Sequence, residues 1–410
     1  MKTIAVVCEF NPFHAGHLYL FDRIRSVFGS DARIVCIMSG SYVQRGGPAI
    51  ADKFSRAEAA VRGGASLVLE LPYPWSCSYA ERFAEAGVSI ADALGCVDFL
   101  VFGSECGDTQ KLVQTAARCK SKAFADAVRS ASEDPARCNL GYPALCESVY
   151  RELFAEEDAT PLMNPNDTLA LEYCAALARR QSRIIPYAIR RIGSHGDQSD
   201  GSYASAACLR RIISNEEVRG NLSSLSDSIP QFSIDILRQN KRNGKFPVLE
   251  DSLSNAVLAF LRIQPCPTVS PPDQDRGLMH RIRSAAKEVC SLQELFARCV
   301  DKTHTGSRVR RLTWHLFFGT TSAEVNALPA YTQVLAFNDR GRALLHDIRK
   351  TCGIALLTKP SDLTALPEPA RSQAEAACRA DSVFPLAYPT PGSAADLLLR
   401  APYYQAEIDF

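Results

Sequence analysis

An unbroken apolar run, Thr3-Ile4-Ala5-Val6-Val7-Cys8, leads through Glu9-Phe10-Asn11-Pro12 into Phe13-His14-Ala15-Gly16-His17. Continuous β-branched and apolar character suits a strand covered on both faces, so the polar chemistry of such a strand gathers at its end. Pro12 has no N–H to give a ladder and biases Asn11 towards extended backbone, so the chain must turn there. Leu18, Leu20, Phe21 and Ile24 then recur at helical spacing, which predicts a helix beginning near His17. Gly16 lacks a Cβ and permits a close approach of backbone and ligand. A helix start offers free N–H groups and the positive end of the helix dipole. His14 and His17 lie close enough to donate to the oxygens of an anion held there as negative charge builds up. Two histidines that merely decorated a loop would need no strand, Asn-Pro turn, glycine and helix in this order.

Four further strand candidates, Arg33–Met38, Ser66–Leu71, Val97–Phe102 and Arg183–Ile189, alternate with helical stretches. That alternation predicts an α/β fold, a doubly wound sheet kept parallel by right-handed crossovers. In such a sheet the loops beginning at Cys8, Met38, Leu71 and Phe102 face one crevice. We expect a first domain over residues 1–215 with a helical insertion at about 111–162, and a mainly helical second domain over 216–410. Polar breaks at Ser223–Ser228 and a Pro-rich linker at Pro265–Pro272 punctuate the second part. With 410 residues, 46% hydrophobic and 22% charged, the chain has the composition of a soluble protein large enough for two domains. A net charge of +1 identifies no partner, so any nucleic-acid surface is a local patch.

Fifteen cysteines, scattered without a C-x-x-C pair and odd in number, read as reduced and mostly buried thiols. Cys8 is accordingly expected to be a buried strand thiol and not a nucleophile. The first strand follows Met1-Lys2 with no signal-type apolar region, and no apolar run reaches the ~18 residues that span a bilayer. A cytoplasmic protein with no membrane association is expected. No protein metal cluster is visible in the sequence, and oligomeric state is not encoded in these motifs.

The stretch from His14 to His17 resembles the His-x-Gly-His signature of the nucleotidyltransferase and class I synthetase superfamily, which transfers adenylyl groups from ATP. Several further blocks agree in order and spacing with the bacterial tRNA(Met) cytidine acetate ligases: Glu9–His17, Met38-Ser39-Gly40 through Val43-Gln44-Arg45-Gly46, Ala51-Asp52-Lys53, Leu67–Pro72 and Phe102-Gly103-Ser104-Glu105. The resemblance is strong over the N-terminal half and looser beyond it. It implies a Rossmann-like sheet of the nucleotidyltransferase type with a helical C-terminal domain, and a ligase using ATP with Mg²⁺ as its companion. The reaction it implies has two steps, formation of acetyl-adenylate from acetate and ATP and transfer of the acetyl group to N4 of the wobble cytidine of elongator tRNA(Met). An anticodon loop suits this, because its bases are unstacked at lower cost than in a duplex.

By the same resemblance His14 and His17 are the catalytic pair. ATP is met by Val7, Cys8, Glu9, Phe10, Asn11, Pro12, Phe13, His14, Ala15, Gly16, His17, Leu18, Tyr19 and Leu20. Gly103 gives room to the adenosine, Asn166 of the Asn164–Thr168 segment meets the nucleotide, and Arg191 contacts ATP, with Arg190 an equally cationic neighbour. The segment Tyr203–Arg210 resembles a second phosphate motif, in which Ser205 and Arg210 hold the β and γ phosphates. Ala207 and Cys208 depart from its pattern and remove a hydroxyl.

Cations supply the remaining candidates. The tract Arg276–Arg311 is basic and resembles the ligases' basic segments, so Arg281, Lys302, Arg308, Arg310 and Arg311 are expected on a tRNA face, where released counterions make affinity salt-dependent. Arg45, between Gln44 and the glycines 46 and 47, is expected on a mobile closing loop that brings charge to the triphosphate or to RNA. Lys53 and Arg56, one helical turn apart, either face the crevice or are surface cations. Two other readings remain at this stage, an adenylyltransferase for a small phosphorylated metabolite and an RNA-binding module on a nucleotide fold. Pyrophosphate release stimulated by acetate, by the metabolite, or by neither separates the three.

Overall fold

The structure, a computed structural model, describes residues 1–406 apart from 135, 138–139, 156, 193–203, 216–220, 266–271 and 273–274. Five strands form a parallel array: β1 (Thr3–Cys8), β2 (Arg33–Ser39), β3 (Leu67–Leu71), β4 (Phe99–Ser104) and β5 (Ile185–Arg190), in the order β5-β4-β1-β2-β3. The chain runs outward from β1 through β2 to β3, then returns to the other side of β1 for β4 and β5. The reversal between β1 and β4 opens a crevice at their C-terminal ends, where α/β sheets bind ligands. All five strands lie within two residues of the sequence expectation at each end.

Helices cover both faces: α1 (Ala15–Phe28), α2 (Lys53–Arg62), α3 (Ala80–Ala93), then α4 (Thr109–Cys119), α5 (Lys122–Glu133) and α6 (Tyr142–Leu153), α7 (Pro165–Arg179) and α8 (Ala206–Ile213). The inserted helices α5 and α6 bury Phe124, Leu145, Val149 and Tyr150 in a small core of their own.

The C-terminal stretch departs from expectation. It is rich in helices, but it also supplies β6 (Tyr331–Asn338), which runs antiparallel to β3 and widens the sheet. β7 (Ala355–Leu357) and β8 (Tyr403–Gln405) pair in parallel with the two halves of β6. Nor does this stretch keep its core to itself: Val257, Leu312 and Trp314 belong to the same buried cluster as Ile4, Met38 and Phe54. Burial of these apolar faces against the first sheet is what holds the C-terminal helices to the crevice. Every cysteine among the described residues is a free thiol, most of them buried or half-buried. Among the described residues no helix is long and apolar enough to cross a membrane.

Candidate active site

β1 delivers the chain to the crevice, a cis Asn11–Pro12 bond turns it, and His14 becomes the N-cap of α1 with extended backbone. The histidines are locked by the backbone. Gly16 N–H donates to His14 Nδ1 at 3.0 Å, and His14 N–H donates to His17 Nδ1 at 3.2 Å. The two rings stack with centroids 3.8 Å apart. A Cβ on residue 16 would stand 2.9 Å from His14 Cε1, so this stack requires glycine there. Since each Nδ1 accepts an N–H, the proton of each neutral ring is on Nε2, the atom left to face a ligand.

Both rings are held neutral. Burial, followed by the nearby charges of Arg191 and Arg210, lowers the His14 pKa to about 3. Burial, His14 and Arg191 push His17 well below its ordinary value. The pair therefore donates as N–H dipoles until a polyanion arrives and favours its protonation. Because the folded value lies below the unfolded one, His14 withdraws stability as pH falls from about 6.5 towards its folded value. Ring NMR checks this. His14 is expected to remain neutral at pH 5 in the free protein and to shift upward with a nucleoside triphosphate. A free-protein midpoint near 6.5 contradicts the assignment.

One expectation is overturned. The first N–H groups of α1 are not free for an anion: Ala15 N–H donates to Ser228 O at 2.8 Å, Gly16 N–H to His14 Nδ1, and His17 and Leu18 N–H to His14 O at 2.9 and 3.3 Å. The helix start presents imidazoles in place of amides.

A pocket opens beside the pair, lined by His14, Gly16, His17, Tyr19 and Leu20 from α1, Gly103 from β4, and the segment Ile189–Ile192. Arg190 and Arg191 both line it. Arg191 packs on Gly103, where a Cβ would stand 3.2 Å from its Cγ, and its charge reaches both histidines. Other candidates are buried beside the pair. Cys8 is a buried thiol whose pKa burial raises, and Phe10 and Phe13 are core rings packed on the His17 imidazole at 4.8 and 5.5 Å.

Asn166 donates to Glu105 Oε1 at 2.6 Å, which fastens α7 to the loop after β4. Its neighbour Asp167 is fully buried and accepts from Ser104 Oγ and from Cys106 N–H at 3.1 Å. Ser205 caps α8 by accepting Cys208 N–H at 3.3 Å. Tyr203, at the head of that motif, lies outside the described residues. Arg210 reaches back to donate to Asn11 O at 2.8 Å, on the opposite side of the β1–α1 turn.

The loop around Arg45, expected as a closing loop, is hydrogen-bonded to its surroundings in this conformation. Val43 and Gly47 pair across a tight turn, Gln44 N–H donates to Glu9 Oε1 at 2.8 Å, and Arg311 donates to Gln44 O at 3.3 Å. Gly46 has φ +85°, and a Cβ there would lie 2.7 Å from the Arg311 backbone nitrogen. Arg45 itself is exposed at the tip.

Arg56 lies beneath this loop, buried, donating to the carbonyls of Glu9, Ser39, Gly40 and Ala51. It ties the ends of β1 and β2 together. Lys53 is likewise buried, on Glu70 and Asp381. Neither is a crevice or surface cation, and only their long-range partners could have revealed it.

The basic tract is laced with acids. Arg281 pairs with Asp301, Arg308 with Asp275 at 3.2 Å, and Arg310 with Glu250 at 2.6 Å while stacking on Phe296. Lys302 is exposed.

The description "HIGH Nucleotidyl Transferase" belongs to the family model that matches residues 1–396. Proteins named tRNA(Met) cytidine acetate ligase are 32% identical in Acetivibrio thermocellus, over 95% of this chain and 96% of that one, and 31% identical in Clostridium novyi, over 88% and 90%. The chain belongs to the tRNA(Met) cytidine acetate ligase family of HIGH nucleotidyl transferases. Crystal structures of Thermotoga maritima TmcAL superpose on 99% of this chain and 100% of that one. The apo form is 27% identical with a TM-score of 0.90, and the form bound with alpha-thio ATP is 26% identical with a TM-score of 0.88. In this acetate ligase family member, the His14–His17 stack stands at the C-terminal end of β1, where the sheet reverses.

Proposed function

We propose that this chain is an ATP-dependent ligase that acetylates N4 of the wobble cytidine of elongator tRNA(Met). The supporting observation is the pair of neutral, backbone-locked imidazoles at the β1–β4 switch point, in a chain that matches ligases of that name along nearly its whole length.

In the first step an acetate oxygen forms a bond to the α-phosphorus of ATP, the bond from that phosphorus to the β-phosphate oxygen breaks, and pyrophosphate leaves. Negative charge grows on the phosphoryl oxygens, and the Nε2–H groups of His14 and His17, with Arg191 beside them, stabilise it. In the second step N4 of the cytidine attacks the acyl carbon, the acyl–oxygen bond to AMP breaks, and N4 gives up a proton. The base must leave its stack to reach the anhydride, which a single-stranded loop permits. Mg²⁺ would accompany the triphosphate, held by phosphate oxygens and water as is usual for nucleotide-bound magnesium. Among the described residues no group of three or more His, Cys, Asp or Glu is placed to hold a metal ion. The enzyme would work in the cytoplasm, where ATP and tRNA meet.

Purified protein incubated with ATP, isotopically labelled acetate and tRNA is expected to yield labelled N4-acetylcytidine on nucleoside mass analysis, together with AMP. Absence of the labelled nucleoside ends this reading.

A further inference from the structure

A second cavity, of about 540 Å³, lies on the other side of the β1–α1 turn, between the loop around Arg45 and the helix Gly306–Phe318. Its volume falls in the range of small-ligand sites. Its lining mixes apolar and cationic side chains.

Its apolar lining is Val43, Pro48, Ile50, Val248 and Leu249. Its charged lining is Arg45, Arg210 and Arg310 with one carboxylate, Glu250. Glu250 is taken up by Arg310 at 2.6 Å and by Trp314 Nε1–H at 3.0 Å. Arg210 is bonded to a neutral carbonyl, Asn11 O; burial lowers its pKa, the Glu9 carboxylate opposes that, and the charges of Arg45 and Arg310 add to it. Arg45 has no ion-pair partner among the described residues. Arg45 and Arg210 therefore bring positive charge to the cavity, with the Glu9 carboxylate acting on Arg210. The first turn of the helix Gly306–Phe318 adds to this lining through Thr305, Gly306 and Ser307, with no side-chain cap from Thr305. A lining that combines apolar side chains with arginines suits a molecule with a flat base and a phosphate.

The cavity is joined to the histidines by Asn11 and Arg210. Asn11 begins the turn that ends at His14, and the charge of Arg210 acts on the His14 ring. An occupant of this cavity and an occupant of the His14–Arg191 pocket would thus flank one short turn.

We propose that this cavity receives one unstacked nucleotide of the RNA, its base against Val43, Pro48, Ile50, Val248 and Leu249 and its phosphate among Arg45, Arg210 and the start of the helix Gly306–Phe318. The proposal rests on the ligase reading and adds to it a seat for one nucleotide of the RNA beside the β1–α1 turn. It also gives Arg210 a place on the RNA side of the turn, in place of the β and γ phosphates of ATP.

The test uses the full chain with two substitutions, Arg45→Gln and Ser307→Glu, a 17-nucleotide anticodon stem-loop hairpin, and alpha-thio ATP as the separate nucleotide probe. Arg45 is exposed, so its replacement leaves the core untouched. Arg45→Gln is expected to weaken hairpin binding about fivefold and to make the salt slope shallower by about 0.7, the value for one contact to a single strand. Ser307→Glu, which sets an anion against the cationic lining, is expected to weaken it more than about tenfold. Alpha-thio ATP affinity should move less than about twofold in both, since a contact confined to one ligand leaves the other's free energy unchanged. Unchanged hairpin affinity in both variants overturns the proposal. Equal loss of alpha-thio ATP affinity also overturns it, by giving the cavity to the triphosphate. Acetylation by the unsubstituted chain is the control that separates failure of this site from failure of the ligase reading.

Discussion

Replacing His17 with alanine is expected to lower acetate-dependent exchange of pyrophosphate into ATP by about two to three orders of magnitude, the loss typical when one preorganised donor to developing charge is removed. The expectation follows from the bonding of the ring. His17 Nδ1 accepts the His14 N–H, so its proton stands on Nε2, and burial, with the neighbouring His14 and the charge of Arg191, keeps the ring neutral. A neutral, fixed donor needs no rearrangement as charge appears on the α-phosphoryl group. Alanine removes two things at once, however, because the same Nδ1 is half of the reciprocal cap that starts α1. Loss of a cap alone costs about 0.5–2 kcal/mol and would cloud the result.

His17→Asn separates the two effects. An asparagine oxygen sits near the place of Nδ1 and can take the His14 N–H, but the side chain ends short of Nε2. His17→Asn should therefore melt close to the unsubstituted protein and still lose exchange as His17→Ala does. If His17→Asn keeps full exchange, the Nε2–H has no part in adenylyl transfer, and the ring is only a cap.

The parts of this site that were legible in the sequence are those set by local rules. A strand of continuous apolar residues, a proline that ends it and a glycine beside a histidine are short-range signals, and β1, the turn and α1 followed from them. What stayed hidden depends on partners distant in sequence. Ala15 N–H is taken by Ser228 O, so the amides that the helix start should have offered are already spent. Nothing near residue 15 announces this.

Arg56 illustrates the same limit. Charge and spacing suggested a crevice cation, whereas four carbonyls converging from β1, β2 and the loop before α2 make it a buried tie. The three C-terminal strands escaped for a different reason. β7 and β8 have three residues each, too few to show a period of two, and β6 joins the first sheet by pairing with β3, far back in the chain.

The second large effect concerns stability. Lys53→Met is expected to destabilise the protein by about 3–5 kcal/mol in urea denaturation, the cost of stranding buried charge when one partner of an ion pair is removed. Lys53 Nζ is 2.7 Å from both Glu70 and Asp381 and 2.9 Å from the Gln333 amide oxygen, and its side chain is 2% exposed. Burial acts to lower its pKa, but Asp381 and Glu70 outweigh that and raise it. A raised lysine value means that this contribution is present throughout neutral pH and is lost only as pH climbs through the folded value, above the ordinary ~10.4.

The four residues come from α2, β3, β6 and the helix Ala370–Val383, so the cluster joins the C-terminal strand to the parallel array at one point. Asp381 also accepts from Ser41 Oγ at 2.5 Å, which extends the cluster to the loop that carries Arg45. The decisive comparison is Lys53→Met against Lys53→Met combined with Glu70→Gln and Asp381→Asn. Removing all three charges leaves no stranded anion, so the combined variant should regain a large part of the loss. If it is no more stable than Lys53→Met alone, the penalty lies in the cavity or the lost hydrogen bonds and not in buried charge. That result would remove electrostatics from the account of how the C-terminal helices are held to the crevice.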